Sequence, residues 1–343
     1  MREIGPNKTI RGHVSGVVSG NLSGAVEARW RPSLPFMRTS RQLPAAPVFL
    51  IGAPRSGTSL VYKALCLHSE SAYVSNWVRK FPSVPALALF NRVPRRFPGA
   101  RRRAWFSATS NAYVHNARRS LDRRIFPSPA EGEPFFTACG IGLEPPLTVG
   151  ESERTALQRA VERVTRYSGA SVFVNKRIAN NRRIPLLVDA FPNARFVNIV
   201  RDGRAVASSL ARVDWWEDSV VWWYGGTPRR WAADGGDPWE LCARNWVEEL
   251  AVIDTGLSAV SPGAVLHLRY EDLVSAPLTT FRRVAQFAHL PGDARWETDL
   301  GDLRIEATDS WRTDLADEAL KRIETIQADG LESHGYVLEA HKR

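Results

Sequence analysis

The chain has 343 residues, of which 44% are hydrophobic and 10% aromatic, and its 46 Lys and Arg against 36 Asp and Glu give a net charge of +10. This composition is too apolar for a disordered chain, and the length allows one large α/β domain with a substantial core. Its apolar runs are too short to span a membrane, its first residues lack a signal-peptide pattern, and its three cysteines are too widely spaced for a disulfide framework or zinc site, so we expect a soluble cytoplasmic protein.

Residues 1–44 carry Gly, Ser and Pro between scattered charges, which predicts a loosely packed N-terminal extension. Residues 45–343 are predicted to form a single catalytic domain. We expect strands at 48–52, 171–175, 195–200 and 264–268, and helices at 60–67, 153–167, 181–191, 203–212, 240–260 and 277–289. Because strands alternate with helices, the pattern predicts an α/β fold in which helices flank a parallel sheet.

Residues 52–59, with the sequence GAPRSGTS, form a tight polar turn between the first strand and the first helix. In such a turn, backbone N–H groups and the helix N-terminus converge on a phosphate group, and glycines let the chain approach it. Gly52 and Gly57 match the spacing of the nucleoside-triphosphate loop, but Thr58 stands where that loop carries its lysine. The missing lysine argues against an ATPase or a kinase, and Arg55 is the cation that this loop carries instead.

Between 77 and 127 the chain is rich in Pro and Arg, which predicts short helices and loops. Its arginine cluster is interpreted as a solvated helical face, or as a contact with an anionic surface. The apolar stretch 82–90 lies beside that cluster, so peripheral membrane contact and delivery of a lipid acceptor are a further hypothesis. No zinc-finger, RNP or homeodomain signature accompanies the arginines, so a nucleic-acid partner is not expected.

A second anion site is predicted where the strand 195–200 meets the next helix. Arg201 stands at the carboxyl end of the strand, and Ser209 lies two turns into the helix. The planar arginine fork can pair with a phosphate, and the hydroxyl can donate from the same side. Ligands of open parallel sheets bind at the carboxyl ends of the strands, where both motifs fall.

Together the two motifs resemble those of the sulfotransferases that use 3′-phosphoadenosine 5′-phosphosulfate (PAPS), most closely the bacterial and tyrosylprotein branches. Residues 54–60 (PRSGTSL) are similar to the family's 5′-phosphosulfate loop, and residues 196–209 (FVNIVRDGRAVASS) to its 3′-phosphate strand and helix. Residues 269–273 (RYEDL) and 310–312 (SWR) also resemble the family, and the likeness runs from about 48 to 336.

This resemblance implies the sulfotransferase fold, which is similar to that of P-loop NTPases, with PAPS as the donor and 3′-phosphoadenosine 5′-phosphate (PAP) as the product. It implies cofactor binding by the following residues: Pro54, Arg55, Ser56, Gly57, Thr58, Ser59, Arg201, Ser209, Trp311 and Arg312.

The implied reaction is the in-line transfer of a sulfuryl group to a hydroxyl or amine. The sulfuryl group carries less charge than a phosphoryl group, so no metal is required. Arg55 occupies the position of the catalytic lysine of cytosolic members, and Lys176, which follows the strand 171–175, resembles the cation that contacts the transferring group. The alternative for Lys176 is an ordinary surface lysine.

The general base is less clearly marked. The tyrosylprotein branch supplies a glutamate shortly after the first helix, but residues 74–79 (VSNWVR) contain no acid, which puts a tyrosine acceptor in doubt. Glu131 and Glu133, which resemble an acidic patch of bacterial members, are the predicted substitutes, with His115 and His68 as weaker options.

Residues 213–246 are crowded with tryptophans and predict an acceptor site or lid. Their rings suit stacking against sugars or a planar aglycone, and the alternative is a subdomain packed by its own tryptophans. We expect the acceptor to be a glycan, a glycolipid or a small hydroxylated metabolite. The alternative functions are a kinase-like P-loop enzyme and a non-catalytic nucleotide-binding or membrane-docking protein.

Overall fold

The computed structural model describes residues 46–106, 124–143, 149–301, 303, 305 and 310–339. The predicted extension 1–44, His115 and part of the Arg-rich segment lie outside these described residues.

Five parallel strands form one sheet in the order β2-β3-β1-β4-β5. They are β1 (Val48–Ile51), β2 (Ser71–Ala72), β3 (Val172–Lys176), β4 (Arg195–Val200) and β5 (Val265–Arg269). The predicted parallel α/β sheet is confirmed. Because all the strands run in one direction, their carboxyl ends meet at a single edge of the sheet.

The α-helices are α1 (Thr58–Cys66), α2 (Asn76–Lys80), α3 (Val93–Arg96), α4 (Pro98–Trp105), α5 (Glu133–Thr137), α6 (Glu151–Ser168), α7 (Ile184–Ala190), α8 (Gly203–Leu210), α9 (Pro228–Ala233), α10 (Pro238–Leu257), α11 (Tyr270–Ser275), α12 (Pro277–Phe287), α13 (Ala294–Gly301), α14 (Trp311–Asp314) and α15 (Asp317–Ser333). Three 3₁₀ helices span Pro85–Arg92, Ile178–Asn181 and Pro262–Ala264. Helices therefore form where they were predicted. The short strand β2 and the helices α5, α9, α11, α13, α14 and α15 are additional to the prediction.

Helix α10 begins two residues earlier than predicted because Asp237 caps it. The Asp237 carboxylate accepts hydrogen bonds from the backbone N–H groups of Trp239 and Glu240. Helix α8 ends at Leu210, two residues before its predicted end.

The sheet has an apolar core on each face. Val48 and Leu50 of β1 pack with α1 and α12 on one face, while Phe49 and Ile51 pack with α6 and α7 on the other. This alternation follows from the two-residue period of a strand. Both faces are covered, so the carboxyl edge of the sheet is left to the connecting loops.

A third apolar cluster joins α8, α10 and α15 beside this edge. Gln327 of α15 donates a hydrogen bond to the carbonyl oxygen of Gly203 at 3.2 Å. A Cβ atom on Gly203 would lie 2.4 Å from the Gln327 Oε1, so glycine permits this close approach. None of the helices in the described ranges is long and apolar enough to cross a membrane.

Candidate functional site

The loop between β1 and α1 forms the first predicted anion site. Its backbone is left-handed at Arg55 (φ 70°) and at Gly57 (φ 86°), which caps α1. A Cβ atom on Gly57 would lie 2.4 Å from Cδ2 of Tyr270, so this position requires glycine for both conformation and space. Ser56 is fully buried, and its Oγ has no hydrogen-bond partner within the described ranges. The loop thus combines a helix N-terminus with an available hydroxyl, an arrangement that suits a phosphate or sulfate group.

The start of this loop is clamped by Asn181, which ends the 3₁₀ helix after β3. Its side-chain oxygen accepts from the Gly52 N–H at 3.2 Å, and its side-chain nitrogen donates to the Gly52 carbonyl oxygen at 3.0 Å. The paired bonds fix the backbone at the point where β1 enters the loop. The only signal for this role in the sequence is an amide residue shortly after a predicted strand.

The second predicted anion site lies directly against the first. Arg55 Nε donates to Ser209 Oγ at 2.9 Å, and Arg201 Nη1 donates to the Arg55 carbonyl oxygen at 3.0 Å. The Arg201 guanidinium lies 4.5 Å from the centre of the Tyr270 ring, the same ring that faces Gly57. Residues more than 140 positions apart therefore meet at the carboxyl edge of the sheet.

Two arginines in such proximity repel each other. Burial and then the charge of Arg201 lower the pKa of the Arg55 guanidinium. An anion placed between the two guanidinium groups would relieve this repulsion. The electrostatics of the site therefore favour a negatively charged ligand.

Lys176, at the carboxyl end of β3, is buried and ion-paired with Glu131. Its Nζ donates to Glu131 Oε1 at 2.5 Å, and Arg177 donates to the other oxygen at 2.9 Å. Burial raises the pKa of Glu131, but the charges of Lys176 and Arg177 outweigh it and lower the pKa to about 2. Lys176 lies in register with Leu50 of β1, so it stands one strand away from the loop of residues 52–59.

Glu133 is held by two arginines. Its carboxylate accepts from Arg177 at 3.1 Å and from Arg183, whose side chain is fully buried, at 2.6 Å. Removing a partner from such a buried ion pair would leave an uncompensated charge. Glu133 therefore anchors the start of α5 in this structure.

His68, the other predicted base within the described ranges, is buried in the helical layer. Its ring nitrogens face the Pro291 carbonyl oxygen at 2.9 Å and the Glu70 N–H at 3.1 Å. Backbone groups hold both ring nitrogens, so the contacts of His68 in this structure are structural.

Trp311 and Arg312 lie beside α8, the helix that carries Ser209. The buried Trp311 ring has the guanidinium groups of Arg204 and Arg312 within 4.4 and 4.5 Å of its centre. Arg312 also pairs with Glu339. This group packs against α8 and so helps to position the helix that carries Ser209.

Most rings of the segment 213–246 pack within the protein. Trp216 is 7% exposed and Trp246 is fully buried, whereas Trp215 is 41% exposed. Trp222 is half-buried and donates from Nε1 to Glu249 Oε1 at 3.0 Å. The packing matches the alternative of a subdomain built on its own tryptophans, and it leaves Trp215 and Trp222 partly accessible.

Glu249 of α10 connects this segment to the loop of residues 52–59, and the sequence did not indicate this role. Its Oε2 accepts from Asn181 Nδ2 at 2.6 Å, and Asn181 in turn clamps Gly52. Burial raises the pKa of the Glu249 carboxyl, although hydrogen bonds from Asn181 and Trp222 and the charge of Arg182 oppose this. A continuous hydrogen-bonded path therefore runs from Trp222 to the loop.

Comparison with known proteins points to one group of enzymes. Residues 47–294 match the model of a sulfotransferase family. Omega-hydroxy-beta-dihydromenaquinone-9 sulfotransferase Stf3 from Mycobacterium bovis and from Mycobacterium tuberculosis is 24% identical over 265 residues, which is 70% of this chain and 62% of each relative. The chain thus spans less than two thirds of the length of these relatives.

A solved structure agrees with these matches. The crystal structure of sulfotransferase STF9 from Mycobacterium avium has a TM-score of 0.53 and 19% identity, and the alignment covers 86% of this chain and 79% of that one. At this level of identity the likeness supports the fold.

Proposed function

Because this chain belongs to the sulfotransferase family, we propose that it transfers a sulfuryl group from PAPS to the hydroxyl group of a small, lipid-like acceptor and releases PAP. The two Stf3 relatives are named for a hydroxylated menaquinone derivative, which supports an acceptor with a long apolar portion. Family membership favours this reaction over the kinase-like and non-catalytic alternatives.

The observation that carries the proposal is the contact between the two anion sites. Arg55 reaches Ser209, and Arg201 reaches the Arg55 backbone, so cations and hydroxyl donors from both motifs surround one place. A nucleotide with phosphate groups on both its 5′ and 3′ sides needs two such sites within the length of one ribose.

The residues present fit such a donor. The unpartnered Ser56 hydroxyl and the Gly57 backbone suit the 5′ end, while Arg201 and Ser209 suit the 3′-phosphate. When bound, the donor supplies a sulfuryl group that is activated by its bond to a phosphate. Pro54, Thr58 and Ser59 complete the loop, and Trp311, with Arg312 over its ring, packs against α8.

Catalysis is assigned to cations at the carboxyl edge of the sheet. Arg55 and Lys176 stabilise the negative charge that develops on the leaving oxygen and on the sulfuryl oxygens. Preorganised cations stabilise the transition state more than the ground state, because these oxygens carry more negative charge in the transition state.

Proton removal from the acceptor is assigned to Glu131. While Lys176 and Arg177 hold it, its low pKa makes it a weak base. Once Lys176 engages the anionic donor, Glu131 loses its closest counter-ion, and its pKa rises towards that of an ordinary glutamate. Glu133 stays bound to its two arginines and keeps α5 in place.

Calorimetric titration with PAP and with ATP tests the nucleotide assignment. We expect PAP to bind and ATP to bind far more weakly, because the loop has no lysine for the β- and γ-phosphates. Isotopically labelled PAPS with hydroxylated quinones, sterols and glycolipids would then identify the acceptor class. Tight ATP binding with no response to PAP would refute the proposal.

A further inference from the structure

The stretch from α2 to α4 exposes large apolar side chains to solvent. We call the exposed side chains of residues 79–103 the α2–α4 surface. Its apolar members, each between 43% and 57% exposed, are Phe81, Val84, Leu89, Phe90 and Phe97. Phe81 and Phe90 both contact Trp77, with ring centres 6.5 and 5.8 Å from that of Trp77. Rings from two separate parts of the chain therefore lie side by side. Contiguous exposed apolar groups of this kind mark interaction sites.

The same surface is strongly basic. Its exposed cations include Arg79, Lys80, Arg92, Arg96 and Arg103. The sequence from residue 71 to residue 106 contains no Asp or Glu. Several exposed arginines elsewhere pair with carboxylates, as Arg282 does with Glu297 at 2.7 Å. The α2–α4 surface therefore joins apolar groups to an excess of positive charge.

This surface begins at the edge of the sheet that carries the candidate site. Strand β2 leads through residues 73–75 into α2, so the surface starts at the carboxyl end of a parallel strand. The Val74 carbonyl oxygen accepts from the Ala130 N–H at 2.8 Å, and Ala130 precedes Glu131. One short connection therefore separates the surface from the Glu131–Lys176 pair.

We propose that the α2–α4 surface docks the protein on an anionic lipid bilayer. Its apolar side chains would enter the headgroup and acyl boundary while its cations contact anionic headgroups. Aromatic rings favour this interfacial depth because they are apolar but tolerate a polar surrounding. A nucleic acid or an acidic protein would use the charges but would leave the exposed aliphatic groups in water. A docked bilayer would present a lipid acceptor beside Glu131, and this part of the inference rests on the proposed function.

Vesicle flotation of the full-length protein tests this inference, with phosphatidylcholine vesicles compared with vesicles that also contain phosphatidylglycerol, at physiological ionic strength. We expect the protein to float only with the anionic vesicles. In Arg79→Glu/Lys80→Glu, partitioning should fall at least about 25-fold, since each of the two cations near such a surface contributes about a fivefold change. The matched control, Arg283→Glu/Arg295→Glu, reverses two exposed arginines on and beside α12 and should float like the wild type.

A second variant tests the apolar contribution. Val84→Ser/Leu89→Ser keeps every charge and should reduce partitioning several-fold, with an unchanged melting temperature as the check on folding. Three results would overturn the inference: no flotation of the wild type, equal losses in both charge-reversal variants, or undiminished binding in Val84→Ser/Leu89→Ser, which would indicate a purely electrostatic partner. PAP calorimetry on the same samples separates the hypotheses, because nucleotide binding without flotation would leave the proposed function standing.

Discussion

Arg55 and Arg201 occupy one site but have different expected roles. Arg201 is 8% exposed, stacks on Tyr270 and reaches the loop backbone, so it is fixed in place. Arg55 is more exposed as a whole residue, although its guanidinium is partly desolvated beside Arg201, and it joins the loop to Ser209 through a side-chain hydrogen bond. We assign Arg201 to nucleotide binding, and Arg55, in the middle of the loop, to stabilising the charge that develops during transfer.

We therefore expect Arg201→Ala to weaken PAP binding roughly 30- to 150-fold, the value of one charged hydrogen bond of about 2–3 kcal/mol. Arg55→Ala should instead lower kcat by about 100- to 1,000-fold with a small change in PAP affinity, and Arg55→Lys should recover part of kcat. Calorimetry and steady-state kinetics separate the two effects, with Arg159→Ala on the exposed face of α6 as the control. Unchanged PAP affinity in Arg201→Ala would contradict the assignment.

The Glu131–Lys176 pair gives a prediction for the pH dependence. The pKa of Glu131, lowered to about 2, keeps it ionised in the free protein, so kcat/KM should show no acidic limb from this group above about pH 4. In the ternary complex its pKa should be higher, so kcat should fall as the pH drops towards about 4.5. Glu131→Gln should remove this acidic limb from the kcat profile and lower kcat. If the variant shows an acidic limb at the same pH as the wild type, Glu131 is not the base.

At the scale of elements, the conformation of the 52–59 loop depends on one glycine that is subject to two constraints. Gly57 has a left-handed backbone and faces the Tyr270 ring, whereas Gly225 has a similar φ of 71° and open space around its Cβ position. Comparing the two positions separates backbone strain from steric overlap.

Gly57→Ala should destabilise the protein by more than Gly225→Ala, for which strain alone is about 1–2 kcal/mol. Gly57→Ala should also weaken PAP binding, because the loop must move away from Tyr270. Thermal unfolding and PAP calorimetry of both variants are the measurements. Equal stability losses together with unchanged PAP affinity would show that the close approach to Tyr270 is unimportant.

Helix α10 connects the tryptophan segment to the loop through a buried carboxyl group. The pKa of Glu249 is raised by burial, so the native state binds its proton more tightly than the unfolded state does. Its contribution to stability is therefore greatest below the ordinary glutamate pKa and is lost as the pH rises through the raised value.

In Glu249→Gln the side chain at position 249 cannot titrate. The melting temperature of the variant minus that of the wild type should therefore increase as the pH rises above about 4.5. Glu248→Gln removes the same charge one residue earlier, at a half-buried position, and is the matched control. If both variants show the same pH dependence, burial of Glu249 does not govern the effect.

At the scale of the whole molecule, the three cysteines lie in the cores of the sheet and of the α8–α10–α15 layer. All are buried and free. Burial raises the pKa of Cys139 to about 11 and that of Cys242 to about 12, and it raises the pKa of Cys66 well above its ordinary value. Thiolates are the reactive form, so these side chains should be inert in the folded protein.

A thiol reagent at pH 8 should therefore find almost no rapidly reacting group in the native protein and all three thiols in denaturant. Reductant should leave the melting temperature unchanged. A fast-reacting thiol in the native state would show that one of the cores opens locally.

Features that depend on neighbouring residues were predictable from the sequence. The apolar run of β1, the glycines of the following turn and the strand–helix junction at Arg201 each lie within a short segment, so the residue patterns that predict them are local. Strand β2 was missed because two residues have no recognisable periodicity and exist as a strand only through pairing with β3.

The sequence by itself determined the parallel α/β architecture and where the two predicted anion sites fall along the chain, because the residue patterns that indicate them are local. Only the tertiary structure decided that Arg55 meets Ser209, that Glu131 is paired with Lys176, and that Asn181 and Glu249 support the loop. These partners are between 45 and 154 residues apart. Contacts of this kind follow from how the sheet orders its strands and brings their carboxyl ends together, and no local pattern encodes that order.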